Sequence, residues 1–309
     1  MLKTIVYPLE AVEPYINWLY FFYAWQLPSR YGSLAYVHHC QSCHAQWLDQ
    51  FSAEERPRAG EALELFDDAQ RMLSGFRMKY RTYARLGLFD ANSEGDDIIV
   101  YKDNDSSNGA SEEQIVKIPF LRQQHATEEG TPNLCLADFV RPIETGKRDR
   151  LGVFATTVEQ AMEDSFMDDP YRHLLAQILS DRMAEATSEL LHQQVRTTLW
   201  GYVPEERLTP QEMFRLKYQG IRPAVGYPSM PDQSVNFIID SLIDMNKIGI
   251  TVTENAAMRP HGSVSGLMFA HPKSSYFAIG KIGDDQLRDY VNRRGLGMDV
   301  VRKYLNSNL

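Results

Sequence analysis

Hydrophobic and polar positions along the chain change period several times. From Pro14 to about Leu27, Trp18, Phe21, Phe22 and Trp25 recur at helical spacing behind a proline suited to a first turn. A second helix is predicted from Ala59 to about Ala84, where Leu63, Phe66, Ala69, Met72, Leu73 and Phe76 follow a period of about 3.6 residues. Short apolar runs then predict strands at Leu86–Asp90 and Asp97–Tyr101, joined through Asn92 to Asp96. A polar surface loop from Asp103 to Glu113 separates them from strands at Ile115–Phe120 and Leu151–Ala155. Between those two, Asn133 to Val140 is interrupted by Asp138, which is expected to cap or turn the chain. The longest helix is predicted over about Pro170 to Trp200, with Leu174, Leu175, Ile178, Met183, Ala186, Leu190 and Leu191 as its buried stripe. Asp181, Glu185 and Glu189 recur on another face, a pattern that ordinarily marks solvent.

Toward the C-terminus a helix is expected over Ser234 to Lys247, with Phe237, Ile238, Leu242 and Met245 on one side and Gly249 closing it. Strands follow at Ile250–Thr253, Ser263–Phe269 and Tyr276–Ile282, the last two forming a hairpin through His271-Pro272-Lys273-Ser274. His261 and His271 read as turn residues. Helices over about Asp284–Arg294 and Met298–Leu305 finish the chain. Unequal spacing of strands and helices, without repeats or linkers, predicts one α+β domain with an antiparallel sheet. Gly295-Leu296-Gly297 follows no strand, so a dinucleotide fingerprint and a doubly wound fold are both disfavoured.

Composition narrows the partners. A net charge of −9 over 309 residues disfavours nonspecific nucleic-acid binding. The most apolar run, Trp18 to Trp25, is too short and too tyrosine-rich to span a bilayer, and the N-terminus shows no secretory pattern, so a cytoplasmic location is expected. Three cysteines are too few for a disulfide scaffold. Two of them lie in His38-His39-Cys40-Gln41-Ser42-Cys43-His44, a CxxCH. Cys40, Cys43 and His44 are candidate metal ligands, with a redox role and an ordinary reduced loop as alternatives.

The stretch Lys217-Tyr218-Gln219-Gly220-Ile221-Arg222-Pro223-Ala224-Val225-Gly226-Tyr227-Pro228 cannot be a continuous helix or a central strand. Its prolines favour an extended loop that displays backbone groups, one guanidinium and two phenol rings. Arg222 can fork onto a carboxylate, while exposed backbone can read a purine edge. A Pro-rich connection with no ligand is the plainer alternative.

That stretch, continued through Ser229-Met230-Pro231-Asp232, resembles the S-adenosylmethionine-binding segment of the C-terminal activation domain of cobalamin-dependent methionine synthase. Further matches occur in Leu121–Gln124, Cys135–Phe139, Asp181–Ala186, His261–Gly266 and Ser275–Ile282. The resemblance implies a single C-shaped or helmet-like α+β domain around a twisted antiparallel sheet flanked by helices. It implies that Arg222 holds the methionyl carboxylate, that the backbone at Ala224 and Gly226 meets adenine, and that Tyr227, Tyr276 and Phe277 wall the site. Glu185 matches a glutamate near the methyl donor. Asn17, in Ile16-Asn17-Trp18, stands where the family has an aspartate for the amino group, which implies weaker affinity. Gln233 replaces a histidine usual in the Pro-Asp-His-Thr run, and residues 33–57 resemble an insertion.

No catalytic side chain is implied, because cobalt on a partner is the nucleophile. The implied partners are a cobalamin-carrying methionine synthase polypeptide and flavodoxin or an equivalent reductase, although an acidic chain would need a local basic patch to dock an acidic flavodoxin. The sequence contains no Asp-x-His-x-x-Gly cobalamin motif, so action in trans is expected. A non-catalytic capping module for a corrinoid protein is the alternative.

Overall fold

An N-terminal strand that the hydrophobic pattern does not signal, β1 (Leu2–Pro8), opens the chain. In this computed structural model, residues 1–38, 40–103, 113–125 and 130–309 are described. Apart from its ends, the tract expected as a loop between Asp103 and Glu113 lies outside the described residues. Helices α1 (Leu9–Val12), α2 (Trp18–Ala24), α3 (Gln41–Leu48) and α4 (Arg56–Phe76) follow β1. Next come β2 (Arg81–Glu94), β3 (Asp97–Asp103), β4 (Glu113–Pro119) and β5 (Asp149–Val158). Then α5 (Gln160–Glu163), α6 (Pro170–Gln194), α7 (Pro210–Phe214) and α8 (Val235–Ile243) lead to β6 (Thr251–Val252), β7 (Met258–Arg259) and β8 (Ser263–Met268). Helices α9 (Asp284–Arg294) and α10 (Met298–Tyr304) complete the order.

The main sheet runs β4-β3-β2-β5-β8 and is antiparallel throughout. β1 pairs with the first half of the long β2, from Leu2 opposite Gly87 to Pro8 opposite Arg81. Alternation along β5 divides the core. Phe154 and Val158 face a layer that includes Phe21, Phe66, Leu179 and Met183 from α2, α4 and α6. Leu151, Val153 and Ala155 face the opposite layer, with Ile239 and Leu242 of α8 and Leu287 and Tyr290 of α9. A sheet covered on both faces needs few polar residues in its central strand, and β5 is buried along nearly its whole length. Among the described residues no helix is long and apolar enough to cross a membrane.

Several expected elements differ. The helix expected over 14–27 is broken: Glu13–Tyr15 forms a 3₁₀ turn, and Asn17 caps α2 with Oδ1 accepting the Leu19 amide at 3.2 Å. α4 stops at Phe76, and residues expected at its end begin β2 instead. The α6 stripe is rotated slightly, so that Leu174 is exposed while Leu175 and Leu179 are buried. On α8 the buried positions are Val235, Asn236, Ile239, Leu242 and Ile243, with Phe237 facing out. Tyr276–Ile282 is not a strand and forms no hairpin with β8. Asp138 does cap a turn, as expected: its Oδ2 accepts the Cys135 amide at 2.8 Å, and both its oxygens take bonds from Arg122.

Candidate functional site

The free edge of β8 is occupied by the proline- and glycine-rich stretch itself. Ile221 and Phe269 exchange backbone hydrogen bonds of 3.1 and 2.9 Å, Leu267 donates to Pro223 O at 3.0 Å, and Val225 donates to Ser265 O at 2.9 Å. Pro223 has no amide to offer, which an edge tolerates. Gly266 is required here, because a Cβ would lie 2.3 Å from Pro223 O and 2.9 Å from Ala224 Cα. The stretch then turns at Gly226, whose φ of +85° suits glycine and whose amide donates to Met230 O at 2.8 Å.

Residues 276–279 lie against the far side of this turn. Ile279 N donates to Pro228 O at 2.9 Å, and Ser229 Oγ donates to Phe277 O at 2.6 Å. Tyr276 folds back so that its hydroxyl accepts the Arg222 amide at 2.9 Å. Across from the stretch runs α6, fixed to the sheet by a 2.7 Å hydrogen bond between Ser188 and Thr156 hydroxyls. On the flank of α6 beside that contact, Arg182, Glu185 and Glu189 line the space shared with the stretch.

Between these elements lies a cavity of about 550 Å³, within the range of about 300–1,000 Å³ usual for small-molecule sites. It gathers Asn17, Glu185, Arg222, Ala224, Tyr227, Tyr276 and Phe277 from the expected site. Gly226 is not on the lining and acts through the turn it permits. Tyr276 and Phe277 both line it, although Phe277 also belongs to the core.

The strongest feature is one that the acid pattern of α6 hides. Arg222 Nη2 donates to Glu189 Oε1 at 2.5 Å, both side chains being largely withdrawn from water. Burial opposes the Arg222 charge, but Glu189, then Tyr276 and Glu185, more than offset it and hold its pKa above the usual value. Arg222 Nε and Glu189 Oε2 are buried without a hydrogen-bond partner among the described residues. Glu185 Oε1 accepts from Tyr227 Oη at 2.5 Å, and burial followed by Glu185 raises the Tyr227 pKa. Asp181, off the cavity, is also raised by burial.

Beneath Tyr218, which shares the cavity wall, lies a polar layer. The His192 ring packs edge-on at 4.9 Å, and Arg196, fully buried with Glu206, stacks 4.4 Å from the Tyr218 ring. Burial, then Arg196 and Arg222, push the His192 pKa well down, so this imidazole is neutral. Residues that sequence reasoning missed are Glu189, Arg182 and the aromatic Tyr15 and Tyr20. Glu189 lies one turn beyond Glu185 on the same face, a spacing that by itself reads as a solvated acidic stripe.

Away from the cavity, His38, Cys40 and Cys43 bring their ligand atoms within 4.8 Å of one another, while His44 is outside this group. Hydrogen bonds from Cys43, Ser42 and His38 lower the Cys40 thiol pKa to about 6.

The family described as vitamin B12 dependent methionine synthase, activation domain, matches residues 8–295. Among solved structures, the crystal structure of the MetH reactivation domain bound to AdoHcy is similar at 35% sequence identity with a TM-score of 0.83, over 100% of this chain and 90% of that one. A family match over nearly the whole chain and this likeness in fold agree, and the chain belongs to the family of activation domains of vitamin B12-dependent methionine synthase.

Proposed function

We propose that this chain binds S-adenosylmethionine in the cavity and presents its methyl group to the cobalamin of a methionine synthase module. The observation that carries the reading is the Arg222–Glu189 pair at the cavity wall, in which each side chain keeps one buried polar atom, Nε and Oε2, without a partner among the described residues. An α-amino acid zwitterion supplies the complement of both: its carboxylate for Arg222 and its ammonium for Glu189. The AdoHcy named for the similar structure carries that zwitterion. Asn17, whose Oδ1 already serves as a cap, adds a neutral acceptor only.

Bound there, S-adenosylmethionine would supply an electrophilic methyl group, with AdoHcy as the leaving group, to a partner's cobalamin first reduced by one electron from a flavodoxin-type reductase. This chain's residues orient and enclose. Ala224 offers backbone to the adenine from a loop shaped by the Gly226 turn, Tyr227 and Phe277 wall it, and Glu185 favours a sulfonium cation electrostatically. The exposed rings of Tyr20, Tyr227 and Tyr276, with Leu216, give the cavity an apolar border suited to docking against a corrin face. Holding the reacting groups together and excluding water accounts for the rate without a side-chain nucleophile.

The test adds this chain to a cobalamin-loaded methionine synthase module on a separate polypeptide, with a chemical or flavodoxin reductant. Conversion of oxidised cobalamin to its methylated form should require both this chain and S-adenosylmethionine. A rate independent of either contradicts the reading.

A further inference from the structure

We propose that His38, Cys40 and Cys43 form a binding site for a thiophilic divalent cation of the zinc class. Among the described residues these are the one group of three His, Cys, Asp or Glu side chains that could hold a metal, with all ligand atoms within 4.8 Å. Bond lengths of about 2.3 Å to sulfur and 2.0 Å to nitrogen place tetrahedral ligands about 3.5–3.8 Å apart. Cys40 and Cys43 sulfurs lie 3.0 Å apart, so a side-chain adjustment of under about 1 Å reaches that spacing. Two thiolates and one imidazole select zinc-like ions over magnesium or calcium, which prefer oxygen. Binding would release the thiol protons to solvent, and two thiolates would neutralise the ion's charge.

The donors sit on a supported element. Cys40 is the N-cap of α3 and Cys43 lies in its first turn. Farther along α3, Trp47 is buried against Tyr31 and Phe51 at 5.9 and 4.7 Å, and its indole donates to Ser33 Oγ at 2.9 Å. Tyr31 in turn packs on Phe22 of α2, the helix capped by Asn17. A metal therefore clips the lead-in of α3 to its first turn and steadies a segment that backs one wall of the cavity. Three protein donors leave a fourth position for water or an exchangeable ligand. His38 is exposed and both cysteines are half-buried, so the ion has a route from solvent.

The test titrates Co²⁺ into reduced, tag-free full-length protein and follows the visible bands of tetrahedral cobalt and the thiolate-to-metal charge transfer, then displaces it with Zn²⁺. One equivalent per chain is expected. Cys40→Ser and Cys43→Ser should each abolish the charge-transfer band, while His38→Ala should weaken binding at least about tenfold, the loss seen for even an outer-shell partner. Far-UV circular dichroism matching the native protein verifies that each variant folds. The proposal is overturned if the reduced native protein gives no thiolate–cobalt band, if the band survives in both cysteine variants, or if the pair oxidises to a disulfide without taking up metal.

Discussion

Breaking the Arg222–Glu189 pair from one side should cost more than removing it whole. The two side chains retain 8% and 18% of their exposure, and the guanidinium is 2.5 Å from the carboxylate. Arg222→Met leaves Glu189 as a nearly buried carboxylate without its cation, and stranding a buried charge costs about 3–5 kcal/mol. The residual exposure of Glu189 puts the expected loss near the lower end, about 3 kcal/mol. Glu189→Leu strands the arginine and should cost about as much. The double variant replaces the pair with apolar side chains of similar volume, so it should lie within about 1 kcal/mol of the native protein. The cycle should therefore close with a large coupling, above about 2 kcal/mol. Equilibrium urea unfolding, read by circular dichroism and tryptophan fluorescence together, measures all four proteins. Single variants within about 0.5 kcal/mol of native, or losses that simply add, would refute the reasoning.

Other parts of the account can be checked separately. Gly266→Ala pushes a Cβ into Pro223 O and should lower stability by about 1–3 kcal/mol and weaken ligand binding, read by thermal melting and calorimetry. Asn17→Asp keeps the helix cap and adds a charge for the ammonium, so S-adenosylmethionine affinity should rise about fivefold, equivalent to about 1 kcal/mol; unchanged affinity would remove Asn17 from the account. Glu185→Gln should lower affinity for the cationic S-adenosylmethionine more than for neutral-sulfur AdoHcy, and an equal loss for both would place Glu185 away from the sulfonium. His192 has a depressed folded pKa, so below its unfolded value of about 6.5 the unfolded chain binds the extra proton. Its contribution is complete above that pH and is lost as pH falls, by up to about 1.4 kcal/mol per unit. His192→Gln should flatten the stability profile between about pH 6.5 and 5, and an unaltered profile would show that His192 is not the titrating group.

The strands and helices with clear periodicity were legible in sequence because each buries a face against the same sheet. Where the pattern failed, tertiary structure decided. α4 and β2 share one apolar period across Phe76 to Ala84, and only pairing with β1 and β5 makes Arg81–Ala84 a strand. β1 is an edge strand with one buried residue, Tyr7, so it carries little hydrophobic signal. Tyr276–Ile282 alternates like a strand, yet the edge of β8 is already taken by Ile221–Val225, and its backbone bonds go to Pro228 and Asn308 instead. The cavity residues of the Arg-Pro-Ala-Val-Gly-Tyr-Pro run were visible as a local motif. Glu189 was not, because its partner lies 33 residues away and only the packing of α6 across the stretch joins them.

The most direct test of the central claim is calorimetric titration of the native protein with AdoHcy and, in parallel, with 5′-methylthioadenosine, which keeps the adenosine and thioether but lacks the amino acid group. Recognition of the zwitterion by Arg222 and Glu189 predicts saturable one-to-one binding of AdoHcy. It predicts at least about 100-fold weaker binding of the truncated compound, since two charge-assisted contacts of about 1.5–3 kcal/mol each are lost. Equal affinities, or no binding of AdoHcy, would contradict it.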